Sequence, residues 1–157
     1  MKNELKQGLT RRLCECNNGG LVLVMYDIYF GFSEDVKAAL ASNDRAALKK
    51  AVADVQAALD ELIGALDFKY PLAGQLYPLY SYCKRLFSTV LYSLDVSVVD
   101  EADSIMKKLR ISFETAAADD KSAPLMDNAQ KVYAGMTYGR GRLTESFIND
   151  DNRGFLA

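Results

Sequence analysis

Residues 21–32 read Leu-Val-Leu-Val-Met-Tyr-Asp-Ile-Tyr-Phe-Gly-Phe, with Asp27 as the one charge in the run. A helix on the outside of a small bundle needs a single apolar stripe. This run is apolar on nearly every side, so more than one of its faces must be covered. It is too short to cross a bilayer, which takes about 20 apolar residues. The run is therefore a buried helix, a buried strand, or a helix that takes a partner. Its β-branched and aromatic content permits a strand, but the polar residues that follow keep a helical period and favour a helix.

The apolar residues of this segment sort into two patches. Leu21, Val24, Met25, Ile28 and Phe32 form one line that continues to Val36 and Ala39. Val22, Leu23, Tyr26 and Phe30 form a second, about 100° to 200° around the helix from Leu21. That second side turns polar only after Ser33, at Glu34 and Lys37. What covers the second patch is the functional question posed by the chain.

The rest of the sequence repeats the helical period. Before the run, Leu5, Leu9, Leu13 and Cys16 make a weak stripe that Asn17, Asn18, Gly19 and Gly20 break, with Asn18 as a candidate cap. After it, Leu48, Val52, Val55, Leu59, Leu62 and Leu66 alternate at four and three, as in a bundle seam. Leu76, Leu79, Cys83, Leu86, Val90 and Leu94 do the same, thickened by Tyr80, Phe87 and Leu91. Pro78 places the regular start of that helix close to Tyr77. Asp95 or Ser97 caps a further helix with Val99, Ala102, Met106, Leu109, Phe113 and Ala116. Ser122 and Pro124 suit another helix start, running to about Met136, and Tyr138 to Ala157 reads as an irregular tail. Four long helices with connections of about four to eight residues imply an all-α, antiparallel four-helix bundle. It carries a short N-terminal helix and an additional C-terminal helix plus tail. The expected division is a bundle over 1–118 and a helix with flexible tail over 119–157.

Composition narrows the function classes. A chain of 157 residues is one domain on length and long enough to bury a core. A net charge of −2 gives no general attraction to nucleic acid or anionic membrane. Arg140 and Arg142, set beside several acids, make a poor electrostatic footprint for RNA. No nucleic-acid partner and no membrane insertion are expected. The N-terminus lacks an apolar signal segment, which points to the cytosol. Three cysteines, Cys14, Cys16 and Cys83, do not suggest a disulfide framework. With no histidine in the chain, Cys14 and Cys16 have no partners for an ordinary zinc site, and His-based triads are excluded. No phosphate-binding glycine motif appears. The expectation is no metal, no cofactor and no enzyme activity. Asp27 is read as pairing with Arg85 or capping a backbone.

Several segments, in order, resemble a known family. Gly-Leu-Val-Leu-Val-Met-Tyr-Asp at 20–27 is similar to the Glu-Leu-Ile/Val-Leu-Met-Leu-Tyr-Asp-Gly signature of the FliS family of flagellar secretion chaperones. Leu-Ile-Gly-Ala-Leu-Asp at 62–67 resembles that family's Leu-x-x-x-Leu-Asp. Leu-Tyr-Pro-Leu-Tyr-Ser-Tyr-Cys-Lys-Arg-Leu at 76–86 resembles its Leu-x-x-Leu-Tyr-x-Tyr-x-x-Arg-Leu. Asp100, Glu101 and Ala102, then Leu109 and Arg110, resemble the last-helix pattern, with Phe113 where many members carry Trp. The resemblance spans residues 20–117; each motif is a helical apolar pattern, and their shared order is what is specific. The chain departs from the family at its start, with no Asn-Pro-Tyr segment, and has Asn-Asn-Gly-Gly where a Ser/Thr-Pro-Glu turn is usual.

The resemblance implies a cytoplasmic chaperone that binds the C-terminal segment of newly made flagellin. It would prevent premature polymerisation and deliver flagellin to the flagellar export apparatus. Apolar and unfolded before assembly, such a segment binds as a helix in a groove. The candidate partner-binding residues are Val22, Leu23, Tyr26 and Phe30, with Tyr77, Tyr82 and Tyr92 from the less buried side of their helix. A tyrosine combines a large apolar ring with a hydroxyl that tolerates water. The chain's own ends are the competing cover for the second patch. The alternative is a helical adaptor, or a self-associating bundle, that binds another amphipathic partner.

Overall fold

The computed structural model describes residues 3–125. Helix α1 spans Asn3–Glu15, α2 Asn18–Ala41, α3 Arg45–Gly64, α4 Pro71–Ser93 and α5 Val96–Ala118. Between them lie connections of two to six residues, shorter than the spacing of the apolar stripes suggests. Such short links force neighbouring helices to run antiparallel. α2 packs on α3, α3 on α4, α4 on α5, and α5 closes the ring on α2, while α1 packs on α2. Among the described residues all regular structure is helical, with no strand, as the periodicity predicts. The additional helix expected to end near Met136, and the tail beyond it, lie outside the described residues.

Side-chain caps set most of the helix starts. Asp44 Oδ1 accepts from the backbone N–H of Ala46 and Ala47, both at 3.0 Å, at the head of α3. Asp95 does the same for Ser97 at 2.8 Å at the head of α5. Each bond satisfies a backbone donor that has no partner within the helix. At α2 the cap is Asn17, whose Oδ1 accepts from Gly20 N at 2.9 Å, rather than Asn18. Gly19 is needed there for contact: a Cβ on it would sit 3.0 Å from Ala117 Cβ and 3.1 Å from Ala117 Cα. The first turn of α2 and the last turn of α5 therefore meet almost backbone to backbone.

Two expectations about α4 and α1 need correction. α4 begins at Pro71, not near Tyr77, and holds Pro78 inside it. Pro71 suits a first turn, where its missing N–H costs nothing. Pro78 leaves the Gly74 carbonyl without its helical donor, but both residues are exposed, so water can serve that oxygen. Among the described side chains of α1, Leu9 and Cys14 are buried, while Leu13 is exposed.

The core is built from Leu48, Val52, Val55, Leu59 and Leu62 of α3, as their spacing predicts. α4 adds Leu76, Tyr80, Cys83, Phe87 and Val90, and α5 adds Val99, Ala102 and Met106. α2 is rotated relative to the sequence reading. Tyr26, Tyr29 and Ser33 are each 0% exposed, whereas Met25, Ile28 and Phe32 of the expected inward line are only partly buried; Val24, Val36 and Ala39 of that line are buried as expected. Phe30 is also partly buried, with its ring edge-on to Tyr29 at 5.1 Å.

Ser33 and Tyr29 can turn inward because α5 supplies a buried acid. Asp103 Oδ1 accepts from Tyr29 Oη at 3.1 Å and from Ser33 Oγ at 2.7 Å. Its Oδ2 lies 2.8 Å from Lys37 Nζ, which also reaches Asp100 at 2.9 Å. Burial alone would lower the Lys37 pKa, but the hydrogen bonds to Asp103 and Asp100 outweigh it and hold the ammonium form. Satisfied this way, the polar cluster fixes the register of α2 on α5.

Candidate functional site

One end of the bundle is open. There a cleft of about 280 Å³ lies among α2, the α3–α4 turn and the end of α5. α2 contributes Val22 and Met25, and α3 contributes Leu62. The turn that follows supplies Ala65, Leu66, Asp67 and Tyr70. Leu72, Ala73, Leu76 and Tyr80 of α4 and Phe113 of α5 complete the lining. Asp67 is the only charged residue among them.

Exposed aromatic and aliphatic side chains surround the opening. Phe68, Tyr70, Leu72 and Tyr77 are respectively 64, 67, 54 and 47% exposed. Phe68 and Tyr77 meet edge to face with centroids 5.9 Å apart, which ties the turn to α4. Four large apolar side chains left in water within ten residues form a patch of the kind that marks an interaction surface. The sequence names Tyr77 as a candidate but not Phe68, Tyr70 or Leu72, because those three fall in or beside a break between two periodic segments. The available signal was the aromatic content of that break, since a plain surface turn has no use for it.

Of the residues proposed from sequence, Val22 lines the cleft, and Tyr77 does not line it but packs on Phe68 of the adjoining turn. Leu23 is partly buried, and Phe30 packs against the core. Tyr82 donates a 2.6 Å hydrogen bond to Glu101 of α5 and has the Arg85 guanidinium 5.7 Å over its ring. Tyr92, 87% exposed, sits near the opposite end of α4. These residues do not form one surface.

Tyr26 stands where the sequence reading did not expect it. It is wholly buried, its hydroxyl is 2.7 Å from that of Tyr80, and its ring is 5.7 Å from Phe113. The hydroxyl partner on the opposite helix explains why a tyrosine is tolerated in the core. Tyr26 therefore buttresses two lining residues, Tyr80 and Phe113, from behind. Tyr26→Phe should cost about 1–2 kcal/mol in urea unfolding, because it strands the Tyr80 hydroxyl. The double change with Tyr80→Phe should cost less than the sum of the singles, and strict additivity would refute the coupling.

Asp27 also has partners other than the one expected. Its carboxylate takes Arg110 of α5 at 2.9 Å and Arg12 of α1, so it joins three helices. Arg85 is instead the cation over Tyr82. Close by, Asp120 Oδ2 accepts from Gly19 N at 3.1 Å, Asn17 Nδ2 donates to Asp120 O at 3.1 Å, and Leu125 N donates to Cys16 O at 3.0 Å. The chain leaving α5 is thus fastened to the α1–α2 turn.

The buried phenols and thiol make the fold sensitive to alkali. Burial pushes the Tyr26, Tyr29 and Tyr80 hydroxyls above their ordinary range, and the Cys83 thiol up to about 12. Each group keeps its proton to higher pH when folded than when unfolded. Their contribution is therefore complete below the unfolded values, about 8.5 for Cys and about 10 for Tyr, and is lost above them. The urea midpoint should fall steadily from about pH 8.5 to about pH 11. A flat profile would mean that these groups titrate normally in the folded protein.

An apolar cleft walled by helices, with exposed aromatics beside it, is the kind of surface that apolar segments of other chains occupy. The family model described as "Flagellar protein FliS" matches residues 1–120, and the chain belongs to that family. The match takes in α1 as well as the motifs at 20–117, and it stops at the α5 fastening. This is a family of chaperones of flagellum biogenesis. No curated protein sequence matches the chain. Among the described residues, no helix is long and apolar enough to cross a membrane.

Proposed function

We propose that this protein is a cytoplasmic export chaperone for flagellin. It binds the C-terminal segment of flagellin, prevents premature polymerisation and assists secretion by the flagellar export apparatus. The observation that carries the reading is the open apolar cleft with its aromatic rim, in a chain of a flagellar chaperone family. The client segment orders as an amphipathic helix, and its apolar stripe enters between Val22 and Leu72. Tyr77 and Tyr70 cover it from the rim. Covering that stripe removes the surface through which the segment would otherwise self-associate. The chaperone acts by binding alone, with no bond made or broken.

Calorimetry with the cognate flagellin C-terminal peptide tests this directly. A one-to-one complex with a negative heat-capacity change is expected, because apolar area leaves water on both partners. Undetectable binding would overturn the proposal. A symmetric dimer whose interface buries the cleft would instead support the self-associating alternative.

A further inference from the structure

The chemistry of the cleft bears on which apolar segments it accepts. Apolar and aromatic side chains line it, the hydroxyls of Tyr70 and Tyr80 included, and its one charged residue is Asp67, at the α3–α4 turn. Asp67 Oδ1 accepts from Lys69 N at 3.0 Å, a local bond that shapes the turn. Among the described residues the Asp67 carboxylate has no ion-pair partner, and the nearby Lys69 side chain does not line the cleft. The open mouth thus carries a single uncompensated negative charge beside a large apolar surface.

We propose that Asp67 is a specificity-determining residue: the cleft selects an apolar anchor flanked, within one helical turn, by a lysine or arginine. This inference rests on the flagellin-chaperone reading and deepens it. Seating a purely apolar helix would strip water from the carboxylate and return nothing. An acidic flank would add like-charge repulsion, whereas a cation restores the lost solvation and pairs with the free oxygen.

The test uses the full-length protein and the cognate flagellin C-terminal peptide. Lys, Gln and Glu are placed in turn at positions three and four residues either side of each leucine, the positions that share a helix face with it. Binding is measured to wild type and to Asp67→Asn. Asparagine keeps an oxygen for the Lys69 N–H and the size of the side chain, so the turn is preserved. In at least one register the Lys peptide should bind wild type about 2–5-fold more tightly than the Gln peptide, the range of a partly exposed ion pair. The Glu peptide should bind more weakly than either. In Asp67→Asn the Lys-to-Gln ratio should collapse towards one, and added salt should shrink it in wild type. Tight binding with no register that discriminates, or discrimination that persists in Asp67→Asn, overturns the role of Asp67 and leaves the chaperone reading standing. Failure of every peptide to bind overturns both.

Discussion

Replacing Asp103 with alanine should destabilise the fold by about 3–5 kcal/mol, a large part of the about 5–15 kcal/mol that holds a domain of this kind together. Asp103 is 3% exposed and serves three donors from α2: the Tyr29 and Ser33 hydroxyls, both fully buried, and the Lys37 ammonium. Alanine strands both hydroxyls, at about 1–3 kcal/mol each. Lys37 suffers less, because it keeps Asp100 and part of its solvation. Asparagine should cost clearly less than alanine, since it retains an acceptor for the hydroxyls and loses only the charge. Adding Tyr29→Phe and Ser33→Ala to the alanine variant should recover part of the loss, because no stranded donor remains. Urea unfolding of this series provides the check. An alanine variant within about 1 kcal/mol of wild type would show that the cluster contributes little.

Leu72→Asp should leave stability nearly unchanged and weaken the flagellin peptide by about 30–150-fold. Leu72 is about half exposed, so the folded protein gains little from it. It lines the cleft, where a bound segment would complete its burial. The lost apolar contact accounts for about 1 kcal/mol, and burying a carboxylate against a client's apolar stripe adds about 1–2 kcal/mol. Together these give the expected factor. Calorimetry for affinity and a urea curve for stability separate the two effects. Unchanged affinity would place the client elsewhere on the protein. Tyr26→Asp is not an equivalent probe, because it puts a charge into the core and tests folding rather than binding.

The helical architecture was legible because α3, α4 and α5 carry apolar residues at spacings of four and three. α2 was legible as a helix but not in its rotation. Of the expected inward line, Val24, Val36 and Ala39 are buried, but Tyr29 and Ser33 turn inward in place of Leu21, Met25, Ile28 and Phe32. The cause is Asp103, which lies 70 residues beyond Ser33 and offers an acceptor inside the core. No periodicity within α2 announces such a partner. The same long-range pairing, from Tyr26 to Tyr80, moved Tyr26 from the expected outer patch to the interior. The site was half legible for a related reason. Val22 and Tyr77 belong to helices and could be placed on faces, whereas Phe68, Tyr70 and Leu72 flank a break where periodicity has nothing to say.

The fastening of α5 onto the α1–α2 turn makes the mouth of the cleft mechanically lopsided. On one side, Gly19 against Ala117, the Asp120 bonds and the Asp27–Arg110 pair lock Val22 and Phe113 to a common frame. On the other, the α3–α4 turn is held chiefly by its own bonds, Lys69 N to Asp67 Oδ1 and Tyr70 N to Asp67 O, with Phe68 resting on Tyr77. One wall is thus tied to the rest of the bundle by cross-helix bonds, and the other mainly by local bonds and the packing of Leu66. In the proposed complex, a segment bulkier than the resting space should therefore shift the α3–α4 turn first, so the fit would be adjusted on the side that carries Asp67, Tyr70 and Leu72.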